Sequence, residues 1–328
     1  MPATTISWTD HSVNPIRCRN KKTGAVGHYC QMVSPGCAHC YASNFQKRFH
    51  MPAFPGSGKA SSLPDMGSDG TVSVSEDLEV FLDRERFMEV LSRKKPTKWF
   101  WADMTDIFAS WVPDEWIDEC FAVMALTPQH VHQVLTKRSE RMPIWATEAP
   151  RRVADIIRNG GAKFADGSMN LIRAFIADAR NRITWWPLPN VWLGVSAEDQ
   201  LRADERIPHL LRTPAAVRFV SFEPLLEEIN TDKFFWRPIT EKEAANLKEW
   251  GVAIPKVMRS DSIYQAIIGG ESGPNHRTVP YSAIRSLWQQ CRDAGVPVFV
   301  KQDAGPKPGM QGRIEDEVWA SKEFPKLR

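Results

Sequence analysis

Short β-type runs alternate with amphipathic helical stretches along most of this chain, and that alternation restricts the possible folds more than any other feature. The runs occupy residues 4–8, 78–82, 98–102, 132–135, 191–195, 217–221, 264–268 and 298–300. Between them lie helical patterns such as 113–126, opened by Pro113 with Asp114 and Glu115 in the first turn, and 281–294, closed by Gly295 and Pro297. Strands spaced by helices form βαβ units with parallel pairing and right-handed crossovers. Eight of them predict an α/β fold of the TIM-like (β/α) barrel type, full eight-stranded or partial, as a single domain over residues 1–328. Segments 157–189 and 229–262 exceed a minimal crossover and are expected as insertions. Residues 51–73, dense in Pro, Gly and Ser without periodicity, read as a long surface loop.

Enzymes of this architecture place their chemistry where strands end and the βα loops begin. The third run leads into Asp103, Thr105 and Asp106, the fourth into Lys137 and Arg138, and the fifth into Ser196 and Glu198. The sixth leads to Glu223, the seventh to Gly269, Gly270 and Glu271, and the last to Lys301, Gln302 and Asp303. Polar residues follow strands in any α/β protein, so each position alone says little. Six strands ending in charged groups point to a polar site.

Four of the six cysteines fall within residues 18–40. In a reducing compartment such crowding signals metal ligands rather than disulfides. The core of the array is Cys30, then Cys37 and Cys40 two residues apart, with Ser34-Pro35-Gly36 supplying a turn between. Thiolates are soft ligands for zinc or iron–sulfur clusters. Structural zinc takes four closed ligands, whereas three cysteines suit a four-iron cluster with one iron left open. Cys18 leaves a zinc site open, and His28 or His39 would also complete a tetrahedron. Lys21, Lys22, Gly24 and Gly27 give the stretch after Cys18 the look of a flexible loop, which favours a free thiol there. Cys120 and Cys291, each alone in an apolar helical pattern, read as packing residues.

A formal net charge of +3 neither demands nor excludes a nucleic-acid partner. The basic clusters at Lys47-Arg48 and Arg93-Lys94-Lys95 support a second reading, a zinc-stabilised nucleic-acid-binding protein. Of the thirteen tryptophans, Trp99, Trp101, Trp185, Trp186 and Trp192 adjoin strand-like runs, where core packing competes with base stacking. No stretch approaches the roughly 18–20 apolar residues that span a bilayer, nor does the first segment carry a signal-peptide core. A cytoplasmic protein without membrane partners is expected.

The motifs Ile6-Ser7-Trp8-Thr9-Asp10, Asn14-Pro15, Cys30-x6-Cys37-x2-Cys40-Tyr41-Ala42, Asp103-Met104-Thr105-Asp106, Leu135-Thr136-Lys137-Arg138, Ser221-Phe222-Glu223-Pro224, Gly269-Gly270-Glu271 and Val300-Lys301-Gln302 together resemble a three-cysteine family of phages and prophages. That family is similar to the radical S-adenosylmethionine (SAM) superfamily. The resemblance implies a [4Fe-4S] cluster on Cys30, Cys37 and Cys40, in a loop after the first strand. SAM would bind the open iron and be cleaved to a 5′-deoxyadenosyl radical, with the electron supplied by a flavodoxin- or ferredoxin-type reductant. His39 and Tyr41 are then candidates for cofactor contact, with Ser196, Glu198, Glu223, Gly269, Gly270, Glu271 and Arg138. Asp103, Asp106, Lys137 and Lys301 are the candidate catalytic groups, for which a mutual charge-pair network is the structural alternative. Two departures stand out: the superfamily's first cysteine gap is shorter than x6, and its Gly-Gly-Glu follows an early strand rather than a late one. The implied activity is isomerisation or another modification of a nucleotide or phage DNA base, such as a hypermodified thymine, in the host cytoplasm. A DNA-lesion lyase resembling spore photoproduct lyase is the nearest alternative.

Overall fold

A computed structural model describes residues 4–43, 70–158, 186–238, 248, 257–259 and 263–325. Most of residues 51–73 and of the two expected insertions therefore lies outside the described residues, as do Lys47, Arg48 and Trp185. The chain divides into two compact units, Met1–Ser196 with Arg212–Val217, and Ala197–Leu211 with Arg218–Arg328.

In the first unit, β1 (His11–Val13), β6 (Lys98–Trp101), β7 (Val131–Thr136) and β8 (Val191–Ser196) pair in parallel in that order. The crossover from β6 to β7 carries a helix at Asp114–Leu126, and that from β7 to β8 one at Arg141–Arg158. All six residues of β8 are buried, as befits a parallel strand covered on both faces. The helix at Asp114–Leu126 buries every residue from Trp116 onward, which makes it a core element rather than a surface one. Trp99, Trp101, Trp116 and Phe87 are all within 2% exposure, and each contributes on the order of 2–3 kcal/mol through burial. Trp192 is buried as well.

Two expected strands differ from the alternation. Residues 78–82 do form a strand, β5 (Leu78–Leu82), but it belongs to an antiparallel sheet ordered β3-β2-β5-β4, with β2 at Ile16–Asn20, β3 at Val26–Gly27 and β4 at Val72–Ser73. The reason is legible in its pattern. Leu78, Val80 and Leu82 are buried while Glu79 and Phe81 are less so, the alternation of a one-faced antiparallel strand and not of a doubly covered parallel one. Residues 4–8 form a turn instead of a strand, closed by Thr9 N donating to Ile6 O at 3.3 Å. The first parallel strand starts only after Asp10, whose carboxylate accepts Lys98 N at 2.8 Å.

The stretch after Cys18 is also not a loose loop. Cys18 sits mid-strand in β2, opposite Gly27 on one side and Val80 on the other.

The second unit holds three parallel strands, β9 (Val217–Phe222, in this unit from Arg218), β12 (Gln265–Gly269) and β13 (Val298–Gln302), paired in that order. The helix Tyr281–Asp293 makes the crossover from β12 to β13 and buries Cys291, Leu287 and Trp288. Within the expected second insertion, β10 (Trp236–Pro238) and β11 (Val257–Arg259) form a small antiparallel pair. The two units thus contribute four and three parallel strands to an α/β protein. No helix among the described residues is long and apolar enough to cross a membrane.

Candidate functional site

The three cysteines expected as ligands lie on a loop between β3 and β4 whose local shape follows from its sequence. Pro35 and Gly36 permit a single 3-10 turn at Pro35–Cys37, closed by Cys37 N donating to Ser34 O at 2.9 Å. A second turn follows, with Cys40 N donating to Cys37 O at 3.2 Å. Two successive tight turns keep Cys37 and Cys40 one turn apart, the relation a two-residue gap needs for both sulfurs to serve one centre. Cys30, Cys37 and Cys40 are half-buried, whereas Cys18, Cys120 and Cys291 are buried. Burial pushes the Cys18 thiol up to about 12, with Glu79 adding to the shift, and drives Cys120 and Cys291 up as well. Burial pushes the Cys30 thiol up to about 12 as well, so their buried places in a strand and two helices, and not thiol acidity, mark those three as packing residues.

The cysteine loop is fastened at both ends to the residues that follow β6 and β7. Before Cys30, Thr105 Oγ1 donates to Tyr29 O at 2.5 Å. Directly after it, Arg138 Nη2 donates to Gln31 O at 2.9 Å. Beyond Cys40, Tyr41 Oη donates to Asp103 O at 2.7 Å, with the Asp103 carboxylate 3.2 Å away. Asp103 is itself held by Asn14 Nδ2 at 2.5 Å, and burial raises its pKa. Ala102, at φ 58, turns the chain sharply at the end of β6. A side chain in that left-handed region carries local strain, and here it is what swings residues 103–106 towards the loop.

Asp106 is the hub of this arrangement. One of its oxygens accepts Thr136 Oγ1 at 2.7 Å and Phe108 N at 3.0 Å. The other accepts Lys137 N at 3.0 Å and Arg138 Nη1 at 3.2 Å. Four donors fill the carboxylate's acceptor sites, so Asp106 aims other groups instead of offering itself to a ligand. Lys137 points elsewhere, its Nζ 3.4 Å from Ser196 Oγ. His39 is half-buried between the last two cysteines.

The remaining predicted residues belong to the second unit and divide by how fully they are engaged. Glu271 takes three donors from Arg277, its N at 2.7 Å, Nε at 3.0 Å and Nη2 at 2.6 Å. Glu198 is fully buried against Arg206 at 2.9 Å, and Asp303 against Arg313 at 2.7 Å. The Arg313 side chain and backbone hold the Asp303 pKa below the usual carboxylate range. Gly270 packs flush on the chain near Ala304, where an added Cβ would stand 2.3 Å from the backbone nitrogen. Gly269 lies beside Glu223 and Lys301, whose Nζ donates to Glu223 Oε1 at 2.5 Å. Both members of this pair reach solvent, at 15% and 17% exposure, whereas the carboxylates of Glu198, Glu271 and Asp303 are at most 4% exposed.

Sequence reasoning singled out Asp103, Asp106 and Arg138 as ligand-facing groups, and the fold employs each of them to hold the cysteine loop. It passed over Gln31, Arg206, Arg277 and Arg313. The contact at Gln31 is through a backbone carbonyl, which leaves no side-chain signature, and the arginines pair at separations of six to ten residues with no helical period.

Residues 3–317 match a single family over nearly the whole chain. The chain belongs to the family described as Protein of unknown function (DUF5131). No curated protein and no solved structure matches it. Whether the cysteines suit a cluster therefore rests on their own chemistry. The three cysteines on this anchored loop, with the Arg138 guanidinium beside the first, are soft donors of the type that thiolate-held clusters take. Among the described residues, however, no group of three His, Cys, Asp or Glu side chains is placed to hold a metal ion.

Proposed function

We propose that this chain is a radical SAM enzyme in which Cys30, Cys37 and Cys40 hold a [4Fe-4S] cluster. The observation that carries the reading is the cysteine loop: three half-buried thiols on successive tight turns, tied to the ends of two parallel strands. A structural zinc site closed by Cys18 is disfavoured, because β2 holds that thiol between two neighbouring strands. The parallel strands of the two units are read as those of a partial TIM-like barrel, whose strand ends carry the chemistry.

With the cluster bound, the chemistry it supplies is reductive cleavage of SAM, using an electron from a flavodoxin- or ferredoxin-type protein. The chain's own residues bind and orient. Arg138, held by Asp106, grips the backbone of Gln31 next to the first ligand, while Tyr41 and Asp103 hold the segment after the last. Lys301 and Glu223 offer a cation and an anion side by side, suited to a ligand carrying both charges or an adjacent donor and acceptor. The substrate class, a nucleotide or DNA base, follows from the motif resemblance to phage proteins.

The test is anaerobic. Protein reconstituted with iron and sulfide turns brown and, given SAM and a strong reductant, releases 5′-deoxyadenosine. A colourless protein with one bound zinc, or a loaded protein that never yields 5′-deoxyadenosine, overturns the proposal. Nucleoside mass spectrometry with and without the enzyme then names the modified atom.

A further inference from the structure

Arg138 reaches the residue next to Cys30, and its surroundings hold it in place. Its side chain is only 8% exposed, and Asp106 meets it from behind at 3.2 Å. Its backbone N–H donates to Thr136 Oγ1 at 2.8 Å, and Thr136 Oγ1 in turn donates to Asp106 at 2.7 Å. Asp106 has no spare acceptor and so cannot swing away. The guanidinium is thereby aimed at the loop, where Nη2 meets Gln31 O at 2.9 Å. Cys30 Sγ lies 3.7 Å from that same carbonyl oxygen, so the guanidinium and the first sulfur converge on one atom.

We infer that Arg138, aimed by Asp106, is the positioning residue of the cluster loop: it fixes the backbone next to Cys30 and sets its positive charge beside that sulfur, which tunes the bound cluster's reduction potential. The inference rests on the cluster reading above. Hydrogen bonds and charges at ligand sulfurs are among the main determinants of such potentials. A positive charge there favours the reduced, more negative cluster, and a carboxylate disfavours it. The guanidinium fork, unlike a lysine ammonium, serves Asp106 and Gln31 at the same time.

The experiment compares wild type, Arg138→Gln, Arg138→Lys and Asp106→Asn after reconstitution, without SAM, by iron content, reductive titration followed by visible absorbance and electron paramagnetic resonance, and iron loss to a chelator. Arg138→Gln is expected to lower the midpoint potential and Asp106→Asn to raise it. Arg138→Lys keeps the charge and holds the potential near wild type, yet both Arg138 variants lose iron about 10-fold faster because the fork is gone. Residues with a merely structural role would change iron content without opposite shifts in potential. Wild-type protein that takes up no cluster overturns the cluster reading and this inference with it. Clusters that load normally in every variant, with unchanged potentials or shifts of the same sign, overturn this inference and leave the cluster reading intact. If Asp106→Asn does not fold, the contrast between Arg138→Gln and Arg138→Lys decides.

Discussion

The two units treat the same sequence signature, a charged residue just past a parallel strand, in opposite ways. In the first, Asp103, Thr105 and Arg138, the last held by Asp106, reach out of the strand ends to hold a separate loop that carries three half-buried thiols. In the second, the strand-end acids are largely tied off by local arginines: Glu198 by Arg206, Glu271 by Arg277 and Asp303 by Arg313. Glu223, paired with Lys301, is the most exposed of these strand-end acids, at 17%. A carboxylate whose acceptors are filled is a structural element, while one with a free edge is a candidate for ligand contact. Position in the fold does not distinguish them, but hydrogen-bond occupancy does.

The sharpest way to break this contrast is at the cysteines. Replacing Cys30, Cys37 or Cys40 with Ala is expected to abolish iron uptake altogether, measured by metal content and visible absorbance. Cys18→Ala, by contrast, should keep its iron and cost about 1–2 kcal/mol of stability through a lost buried sulfur. Iron retention in the first three variants would remove the basis for treating the loop as a ligand set.

A smaller effect separates the acids of the second unit. Glu271→Gln leaves a one-third-exposed Arg277 facing a neutral amide at a buried position, and a loss of roughly 1–2 kcal/mol is expected in denaturant unfolding. Glu223→Gln, in the partly exposed pair, should cost less than about 1 kcal/mol while weakening ligand binding. Equal costs would erase the distinction between a tied-off acid and an available one.

The smallest expected effect is the order in which the units yield to acid. His132, enclosed between Trp101 Nε1 at 3.0 Å and Thr127 Oγ1 at 3.0 Å, has its pKa pushed down to about 3 by burial and by neighbouring His130. A histidine neutral in the fold binds its proton more readily when unfolded, so its contribution declines as pH falls from about 6.5 towards 3. His28 in the same unit is lowered to about 4 by burial and by Arg17. In the second unit the lowered Asp303 carboxyl contributes above the unfolded carboxylate value of about 3.9, and its contribution is lost as pH falls through its folded value. Hydrogen exchange near pH 5 should therefore show first-unit peptides loosening before those around Asp303. Simultaneous loosening would assign the acid response to other groups.

Much of the fold was legible in the chain. Six of the eight expected runs are parallel strands, and the helices over 114–126 and 281–293 fall where periodicity and capping residues put them. The exception at 78–82 was also readable, since its alternating Leu-Glu-Val-Phe-Leu marks a strand with one covered face. The cysteine array was legible too, through spacing and an intervening Pro-Gly turn. The occupancy of the site was not. Asp106 and Glu271 look alike as acids after strands, and nothing nearby in sequence announces that the first will collect four donors and the second an arginine clamp.

What the sequence determined by itself is therefore local: the β/α alternation, the turn that brings Cys37 and Cys40 together, and the supply of charged groups past the strands. Each depends on residues within a few positions of one another, where periodicity and turn chemistry act directly. What only the tertiary structure decided is which of those groups remain free. Thr105 meets Tyr29 across 76 positions and Arg138 meets Gln31 across 107, both at backbone carbonyls. A carbonyl is the same in every residue, so its choice of partner is set by chain geometry and not by side-chain identity.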